Sequence, residues 1–231
     1  MGKNWIAKFV LCLILMCSTA NRALAWHDHT HLAISQAAGY ENWHNAAAAD
    51  IAKTKAKEIE QYNHFFNNNS GVDVTEAMVL GQVKRYNDPE DSEGHLYGAI
   101  IASLRDYKAM KQSNKYAEYP MAFCVHYIGD LSMPLHNVAY TDFNKERHSQ
   151  NDGIIDLGIM NNVGYIKKNM YSIVIENESD LAGEIARIAN ISRQLGLKLE
   201  KENRDMTSDE GYTQIVHSAS LFRAVLTFIK K

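Results

Sequence analysis

The chain has 231 residues, of which 46% are hydrophobic and only three are proline, and its formal net charge is −3. This length and composition exclude a disordered chain and favour one folded domain with a sizeable core. The negative charge excludes a general polyanion binder that depends on excess positive charge.

The first 25 residues have the pattern of a secretory signal peptide. Two lysines precede the apolar run 9–16, and Ala23-Leu24-Ala25 is typical of a cleavage site. The apolar run is too short to span a membrane. We therefore predict a signal peptide over residues 1–25, a folded domain over residues 26–231, and export to the periplasm or the cell exterior.

Helical periodicity dominates the rest of the chain, without internal repeats, and predicts a single all-α domain. Residues 153–164 are predicted to be a loop. The predicted helices run from His31 to just before Gly39, over about 46–62, over about 74–86, from His95, from Pro120, and through two amphipathic stretches that include 181–199 and 215–229.

The central predicted helix carries the most informative motif of the chain, His126-Tyr-Ile-Gly-Asp130-Leu-Ser-Met-Pro134-Leu-His136. His126 and Asp130 are four residues apart, so they lie on one face of a helix. Pro134 should end that helix near Met133 and turn the chain, and His136 follows this turn. The apolar residues around the motif predict deep burial, and a buried carboxylate needs a partner such as a cation.

The same spacing returns at His148 and Asp152. Three imidazoles and two carboxylates within 27 residues could surround more than one zinc ion, since zinc binds histidine nitrogen and carboxylate oxygen. The alternative is that these histidines lie at the solvated ends of ordinary helices. Because so much of the chain's histidine falls in this short stretch, we favour the metal site.

Cleavage after Ala25 would make Trp26 the first residue of the exported chain. A free α-amine has a pKa near 8, so a metal ion can displace its proton. The amine and carbonyl of Trp26 could then chelate one ion, with His31 as a further ligand. The alternative is a histidine-rich terminus that binds stray metal or none.

These features together resemble the zinc-dependent phospholipase C family, whose fold the fungal single-strand-specific nucleases share. The resemblance consists of Trp26 followed by Thr30-His31, the motif 126–136, and the pair His148-x3-Asp152, and it covers about residues 26–152. It implies a multi-helix bundle with a trinuclear zinc site at the bottom of a cleft.

The resemblance also implies nine metal-binding residues and one carboxylate that bridges two ions. One zinc ion would bind Asp50, His64, His126 and Asp130, the second His136, His148 and Asp152, and the third the amine and carbonyl of Trp26 with His31, while Asp130 would be the bridging residue.

Asp50 and His64 are the part of this set with the weakest sequence signal. They match the family through their spacing of fourteen residues and through the aromatic setting Asn63-His64-Phe65-Phe66. Asp88 and His95 are a rival pair with a spacing of seven, which fits less well. We therefore expect Asp50 and His64 to complete the first site.

Such a centre would hydrolyse phosphate esters. A hydroxide held between two zinc ions is the expected nucleophile, and Asp50 is the candidate catalytic residue that orients or deprotonates the attacking water. The expected substrate is a phospholipid or another phosphodiester, which brings transient contact with a membrane surface, and the expected state is a monomer.

Two other functions remain open at this stage. The first is a single-strand nuclease or 3'-nucleotidase, which would need aromatic side chains beside the metals to stack with bases. The second is a non-catalytic, zinc-binding exported protein. The aromatic candidates for base stacking are Trp43, Phe65, Phe66, Tyr127 and Tyr140.

Overall fold

The structure of the protein is a computed structural model that describes residues 26–56 and 59–230. The predicted signal peptide and its cleavage site lie outside the described residues. Within the described ranges every regular element is helical and no strand occurs. The prediction of an all-α, single-domain protein is therefore confirmed.

Nine α-helices make up most of the described chain, and short 3₁₀ helices connect several of them. The α-helices are α1 (Asp28–Ala38), α2 (Ala48–Ala56), α3 (Glu76–Gln82), α4 (Leu96–Gln112), α5 (Glu118–Leu131), α6 (Asp142–Asp152), α7 (Val163–Asn169), α8 (Glu178–Glu202) and α9 (Ser208–Phe228). The 3₁₀ helices are Trp43–Asn45, Gln61–Asn63, Val83–Arg85, Pro134–Asn137 and Ile159–Asn162.

Helix α5 is the central element, as its apolar sequence predicts. It packs along α4 and also contacts α1, α2 and α9. Met121, Val125 and Ile128 are completely or almost completely buried. Because nearly the whole surface of α5 is covered, any polar side chain in its C-terminal half is held inside the protein.

Helix α5 ends slightly earlier than predicted, at Leu131 rather than near Met133. The backbone N–H groups of Ser132 and Met133 bond to carbonyls three residues back, at 3.1 and 2.9 Å, which tightens the last turn. Pro134 then opens a 3₁₀ helix, so the chain reverses where the proline predicts it.

Two apolar clusters form the core, and the central helix lies beside both. The larger cluster contains the buried faces of α4, α5, α8 and α9. The smaller cluster contains Trp26, Ile34, Met133 and Leu135, which come from the start of the described chain, from α1 and from the turn after α5. The C-terminal part of α5 therefore lies close to the junction of the two clusters.

Three elements differ from the sequence prediction. The helix predicted over about 46–62 is shorter, because α2 covers Ala48–Ala56 and a 3₁₀ turn follows at Gln61–Asn63. The helix predicted over about 74–86 is α3 with a 3₁₀ extension. The predicted loop 153–164 runs directly into α7, where the buried side chain of Ile166 provides the anchor.

Among the described helices, none has the length and apolar character needed to cross a membrane.

Candidate metal centre

The side chains that the sequence singles out come together in one place, although they derive from six separate segments. They form three groups, and within each group the potential ligand atoms lie within 4.8 Å of one another. The groups are His31 with His126 and Asp130, Asp50 with His64 and His126, and His136 with His148 and Asp152.

The group that contains Asp50 and His64, together with the neighbouring Asp130, has the four residues that the family resemblance implies for one zinc ion. Asp50 Oδ1 lies 3.7 Å from His126 Nε2 and 3.9 Å from His64 Nδ1. Asp130 Oδ2 lies 3.5 Å from His126 Nε2 and 2.9 Å from His64 Nδ1. Two nitrogens and two carboxylate oxygens therefore face one another around a common point.

Asp130 connects this group to a second one. Its other oxygen, Oδ1, lies 3.4 Å from His31 Nε2. The ring of His31 stacks on the ring of His126, with the centroids 3.7 Å apart and the planes 14° from parallel. The two oxygens of Asp130 thus face different histidines, which is the arrangement that a bridging carboxylate needs.

Trp26 lies beside this second group. Its side chain is fully buried, and the backbone N–H of the next residue, His27, bonds to the carbonyl of Asp152 at 3.3 Å. The carbonyl of Trp26 is near enough to His31 to raise the pKa of that ring against the larger, opposite effect of burial. The amine of Trp26 becomes free only if the preceding peptide bond is cut, so its role as a ligand stays a prediction.

The third group contains a close contact between two imidazole nitrogens. His136 Nε2 and His148 Nε2 lie 2.9 Å apart. The Nδ1–H of His136 donates to the carbonyl of His64 at 2.6 Å, and the Nδ1–H of His148 donates to Asn144 Oδ1 at 2.6 Å. With these tautomers both Nε2 atoms carry lone pairs that face each other, so the contact could hold a proton or a metal ion between them. Asp152 Oδ2, 3.6 Å from His148 Nε2, completes the group.

The distances within the groups fit zinc. A tetrahedral site with ligand bonds of about 2.0–2.1 Å has edges of about 3.4 Å, and most of the nitrogen–oxygen distances above are 3.4–3.9 Å. Buried polar atoms without a hydrogen-bond partner also indicate a metal site. Of the eleven buried side-chain polar atoms without a hydrogen-bond partner in the described chain, eight belong to these ligand residues. Buried polar atoms are normally paired, so this concentration marks a place that could hold cations.

In three of the five histidines of the centre, an acceptor holds the nitrogen that faces away from it, which is the usual arrangement of metal-binding histidines. Besides the bonds of His136 and His148, the Nδ1–H of His126 donates to the carbonyl of Ala46 at 2.9 Å. Each of these bonds fixes the ring so that Nε2 faces the centre. Asn144, which holds His148, is itself fixed by a bond to the carbonyl of Leu135 at 2.9 Å.

Burial sets the protonation of the ligands. It lowers the pKa of His31 to about 4 and the pKa of His148 to about 3. It also lowers the pKa of the other three histidines of the centre. Burial raises the pKa of Asp130 and Asp152 well above the usual value. The imidazoles are therefore neutral and ready to bind a cation, whereas the two carboxyls ionise most readily when a cation arrives.

Gly129, inside the central motif, is explained by close packing. A Cβ atom at this position would lie 2.4 Å from His31 Nδ1 and 2.7 Å from His31 Cε1. The position directly before Asp130 must therefore lack a side chain so that the ring of His31 can reach the carboxylate.

The rival pair does not join the centre. Both ring nitrogens of His95 are engaged elsewhere, Nδ1 with Asp91 Oδ2 at 2.8 Å and Nε2 with Asn63 Oδ1 at 2.7 Å. Asp88 accepts a backbone bond from Glu90 at 3.0 Å. His217, outside the predicted site, bonds to the Tyr171 hydroxyl at 2.7 Å. Of the two pairs, the structure places Asp50 and His64 with the other ligands.

Two neighbours of the centre were not identified from the sequence. Lys53 is half-buried on α2, one turn after Asp50, and its charge lowers the pKa of His64, His136 and His148 further. Glu60 is 4% exposed, and burial raises its pKa to about 7. Lys53 lies three residues after Asp50, and Glu60 lies four residues before His64. Side chains at these spacings share a helix face, and this is the signal that could have indicated them.

No protein-family model matches the chain, and no curated protein matches it. A function can therefore be argued only from the residues and their geometry.

Proposed function

We propose that the protein is an exported phosphodiesterase with three zinc ions, most similar in activity to the phospholipases C. One observation carries this proposal: the same buried Asp130 faces two histidine groups, and the third His/Asp group lies beside it, with His136 Nδ1 4.0 Å from Asp130 Oδ1. Adjacent cation sites that share a carboxylate suit phosphate ester hydrolysis, because one phosphate can contact more than one ion.

Catalysis fits better than structural or storage binding. Structural zinc sites are usually closed and rich in cysteine, whereas the ligands here are imidazoles and carboxylates, and the buried Cys124 is not among them. Asp50 is also the most exposed of the ligand residues, at 8%. We therefore place the approach of a substrate on the Asp50 side of the centre.

The roles of the residues follow from this placement. Zinc bound in such a centre supplies Lewis acidity and a water that is reactive near neutral pH. Asp50, whose Oδ1 has no hydrogen-bond partner in the described chain, would help to hold the metal and would orient or deprotonate the attacking water. Lys53, on the same face of α2, adds a positive charge that attracts the anionic substrate.

A lipid fits the surroundings of the centre better than a nucleic acid. Ile51 and Ile59, which flank Asp50 and Glu60 in the chain, are 63% and 50% exposed, as expected for a surface that meets lipid. Two of the five aromatic candidates for base stacking, Phe66 and Tyr127, are buried in the core and cannot contact a base.

The test compares two substrates with protein that begins at Trp26. Hydrolysis of phosphatidylcholine vesicles and of single-stranded DNA is measured with added zinc and after chelation. We expect zinc-dependent release of phosphocholine and no cleavage of DNA. Cleavage of DNA alone would replace the lipid substrate with a nucleic acid, and zinc binding without either activity would leave a non-catalytic zinc protein.

A pair of histidine variants provides the control. His126→Ala should abolish hydrolysis, because two of the three groups lose a ligand. His217→Ala removes a histidine that bonds only within the C-terminal part of the fold and should keep the activity. Equal loss in both variants would mean that the metal centre is not the reactive site.

A further inference from the structure

His64 is oriented differently from the other ligands of the centre. In His126, His136 and His148, Nδ1 faces away from the centre and Nε2 faces towards it. In His64 it is Nδ1 that lies 2.9 Å from Asp130 Oδ2 and 3.9 Å from Asp50 Oδ1. The outer nitrogen of His64 is therefore Nε2, and it needs a different partner.

The neighbour of this outer nitrogen is a buried carboxylate. Glu60 Oε1 lies 3.5 Å from His64 Nε2, slightly beyond hydrogen-bond length, and that nitrogen has no hydrogen-bond partner among the described residues. His126 and His136, in contrast, donate their outer N–H to backbone carbonyls, and His148 donates its own to an amide. Glu60 is thus the one ionisable group that faces the outer nitrogen of a ligand in the described chain.

Glu60 is itself fixed on both of its oxygens. The hydroxyl of Tyr127, within the central motif, donates a short hydrogen bond to Oε1. The amide of Asn63 donates to Oε2 at 3.2 Å. These bonds hold the carboxylate in the direction of His64 and leave it little freedom to turn away.

The fixation continues outward from Asn63. Its amide oxygen contacts His95 Nε2 at 2.7 Å, and His95 Nδ1 contacts Asp91 at 2.8 Å. Arg85, which is partly exposed, donates to the same Asp91 at 3.1 Å. A continuous set of hydrogen bonds therefore links the surface to the carboxylate beside His64. In this set His95, which lies outside the three groups of the centre, helps to hold Asn63 in place.

We propose that Glu60 is a positioning residue, which accepts the Nε2–H of His64 and so presents Nδ1 of that ring to the metal. The inference rests on the proposed zinc binding, because His64 must be a ligand for its tautomer to matter. A carboxylate that accepts from the outer nitrogen fixes the tautomer and makes the ring a stronger ligand.

The direct test is the tautomer of His64 in zinc-loaded protein that begins at Trp26. With ¹⁵N-labelled histidine, long-range ¹H–¹⁵N spectra distinguish rings protonated on Nε2 from rings protonated on Nδ1, and a His64→Gln variant assigns the signal. We expect His64 to be protonated on Nε2 and His126, His136 and His148 on Nδ1. A His64 ring protonated on Nδ1 would overturn the inference.

A matched pair of variants tests the carboxylate itself. Glu60→Gln should weaken the binding of one zinc ion by about 10–100-fold, the usual effect of losing such a partner. Glu118→Gln is the control, because Glu118 also accepts from a tyrosine hydroxyl and an asparagine amide, at 2.8 Å each, but has no histidine neighbour. Equal zinc affinity in the two variants would overturn the inference.

A second, less disruptive variant tests the inference if Glu60→Gln folds poorly. Tyr127→Phe keeps the ring but removes the hydroxyl that holds Glu60, so it should weaken the same zinc ion by a smaller factor and broaden the His64 signal. Elemental analysis distinguishes a failure of the proposed function from a failure of the inference about Glu60. Absence of zinc from the unaltered protein would refute the proposed function as well, whereas normal zinc with unchanged His64 spectra in both variants would refute only the role of Glu60.

Discussion

The replacement Gly129→Ala tests the centre through a single methyl group. The new Cβ would lie 2.4 Å from His31 Nδ1, so the ring must retreat by about 1 Å to reach an ordinary contact distance. His31 is completely buried and stacks on His126 at 3.7 Å, so there is little free space behind it. The backbone of α5 cannot yield easily either, because the central helix is packed on nearly every side.

The expected effect on folding is modest, and the effect on metal binding is large. Overpacking costs about 1–3 kcal/mol, while alanine in place of glycine inside a helix returns about 1 kcal/mol. A net loss of about 0–2 kcal/mol lowers the melting temperature of a domain of this size by less than about 8 °C. In contrast, a shift of about 1 Å exceeds the tolerance of about 0.2 Å for a zinc–nitrogen bond.

We therefore expect Gly129→Ala to fold with two zinc ions instead of three, as measured by elemental analysis after dialysis in a zinc buffer. Gly183→Ala is the matched control, because no atom lies within 4 Å of the Cβ that would be added in α8. It should keep three ions and gain up to about 1 kcal/mol of stability. Three ions bound with unchanged affinity in Gly129→Ala would show that His31 is not a ligand and would refute this reasoning.

Three more predictions concern the same centre. An extra residue before Trp26 in the processed protein moves the α-amine away from the metal, so one zinc ion should be lost. An unchanged metal content would show that the α-amine is not a ligand. Asp130→Asn should lower the zinc content and the melting temperature together, since metal binding is linked to folding; calorimetry that shows an unchanged transition with zinc would contradict the bridging role. The metal-free protein should lose stability in acid. Because burial lowers the pKa of His31 to about 4 and that of His148 to about 3, the unfolded chain takes up protons first as the pH falls below about 6.5. The stability that these neutral rings contribute is complete above pH 6.5 and is lost as the pH falls towards 4. The raised pKa of the buried Glu60, Asp130 and Asp152 acts in the opposite direction, and we expect the five histidines of the centre, whose pKa is lowered, to dominate. Urea midpoints between pH 7 and 4 measure the net effect, and a flat profile would contradict it.

The local part of the centre is readable from the sequence because helical spacing determines it. His126 and Asp130, like His148 and Asp152, are four residues apart on helices, so each pair must share a face. Pro134 limits the central helix and places His136 on the turn that follows it. The order of α1, α4, α5, α8 and α9 follows from the apolar periodicity in the same way, whereas this periodicity predicts neither α6 nor α7 as a helix.

The distant part of the centre depends on packing that no spacing rule contains. Asp50 and Asp88 both precede a histidine and both lie near the end of a helix or turn, so the sequence alone leaves two pairs to choose from. The structure places Asp50 and His64 beside His126, whereas His95 lies elsewhere with hydrogen-bond partners on both of its nitrogens. Likewise, the contact of Tyr127 with Glu60 joins residues 67 positions apart and leaves no periodic pattern.

The magnitude of the burial at the centre argues that cations are part of the folded state. An unpartnered buried polar atom costs about 1–3 kcal/mol, so even half of the eight on the ligand residues would cost as much as the whole stability of a typical domain, about 5–15 kcal/mol. Protonation removes the charge of Asp130 and Asp152, whose pKa is raised. A single proton on Asp130, however, can form a hydrogen bond with only one of His31 and His64. Because the two oxygens of Asp130 face histidines on opposite sides and Oδ1 has no hydrogen-bond partner, a cation beside this carboxylate would relieve the cost of its burial. We therefore expect metal binding to fix the relative positions of α1, α5 and α6.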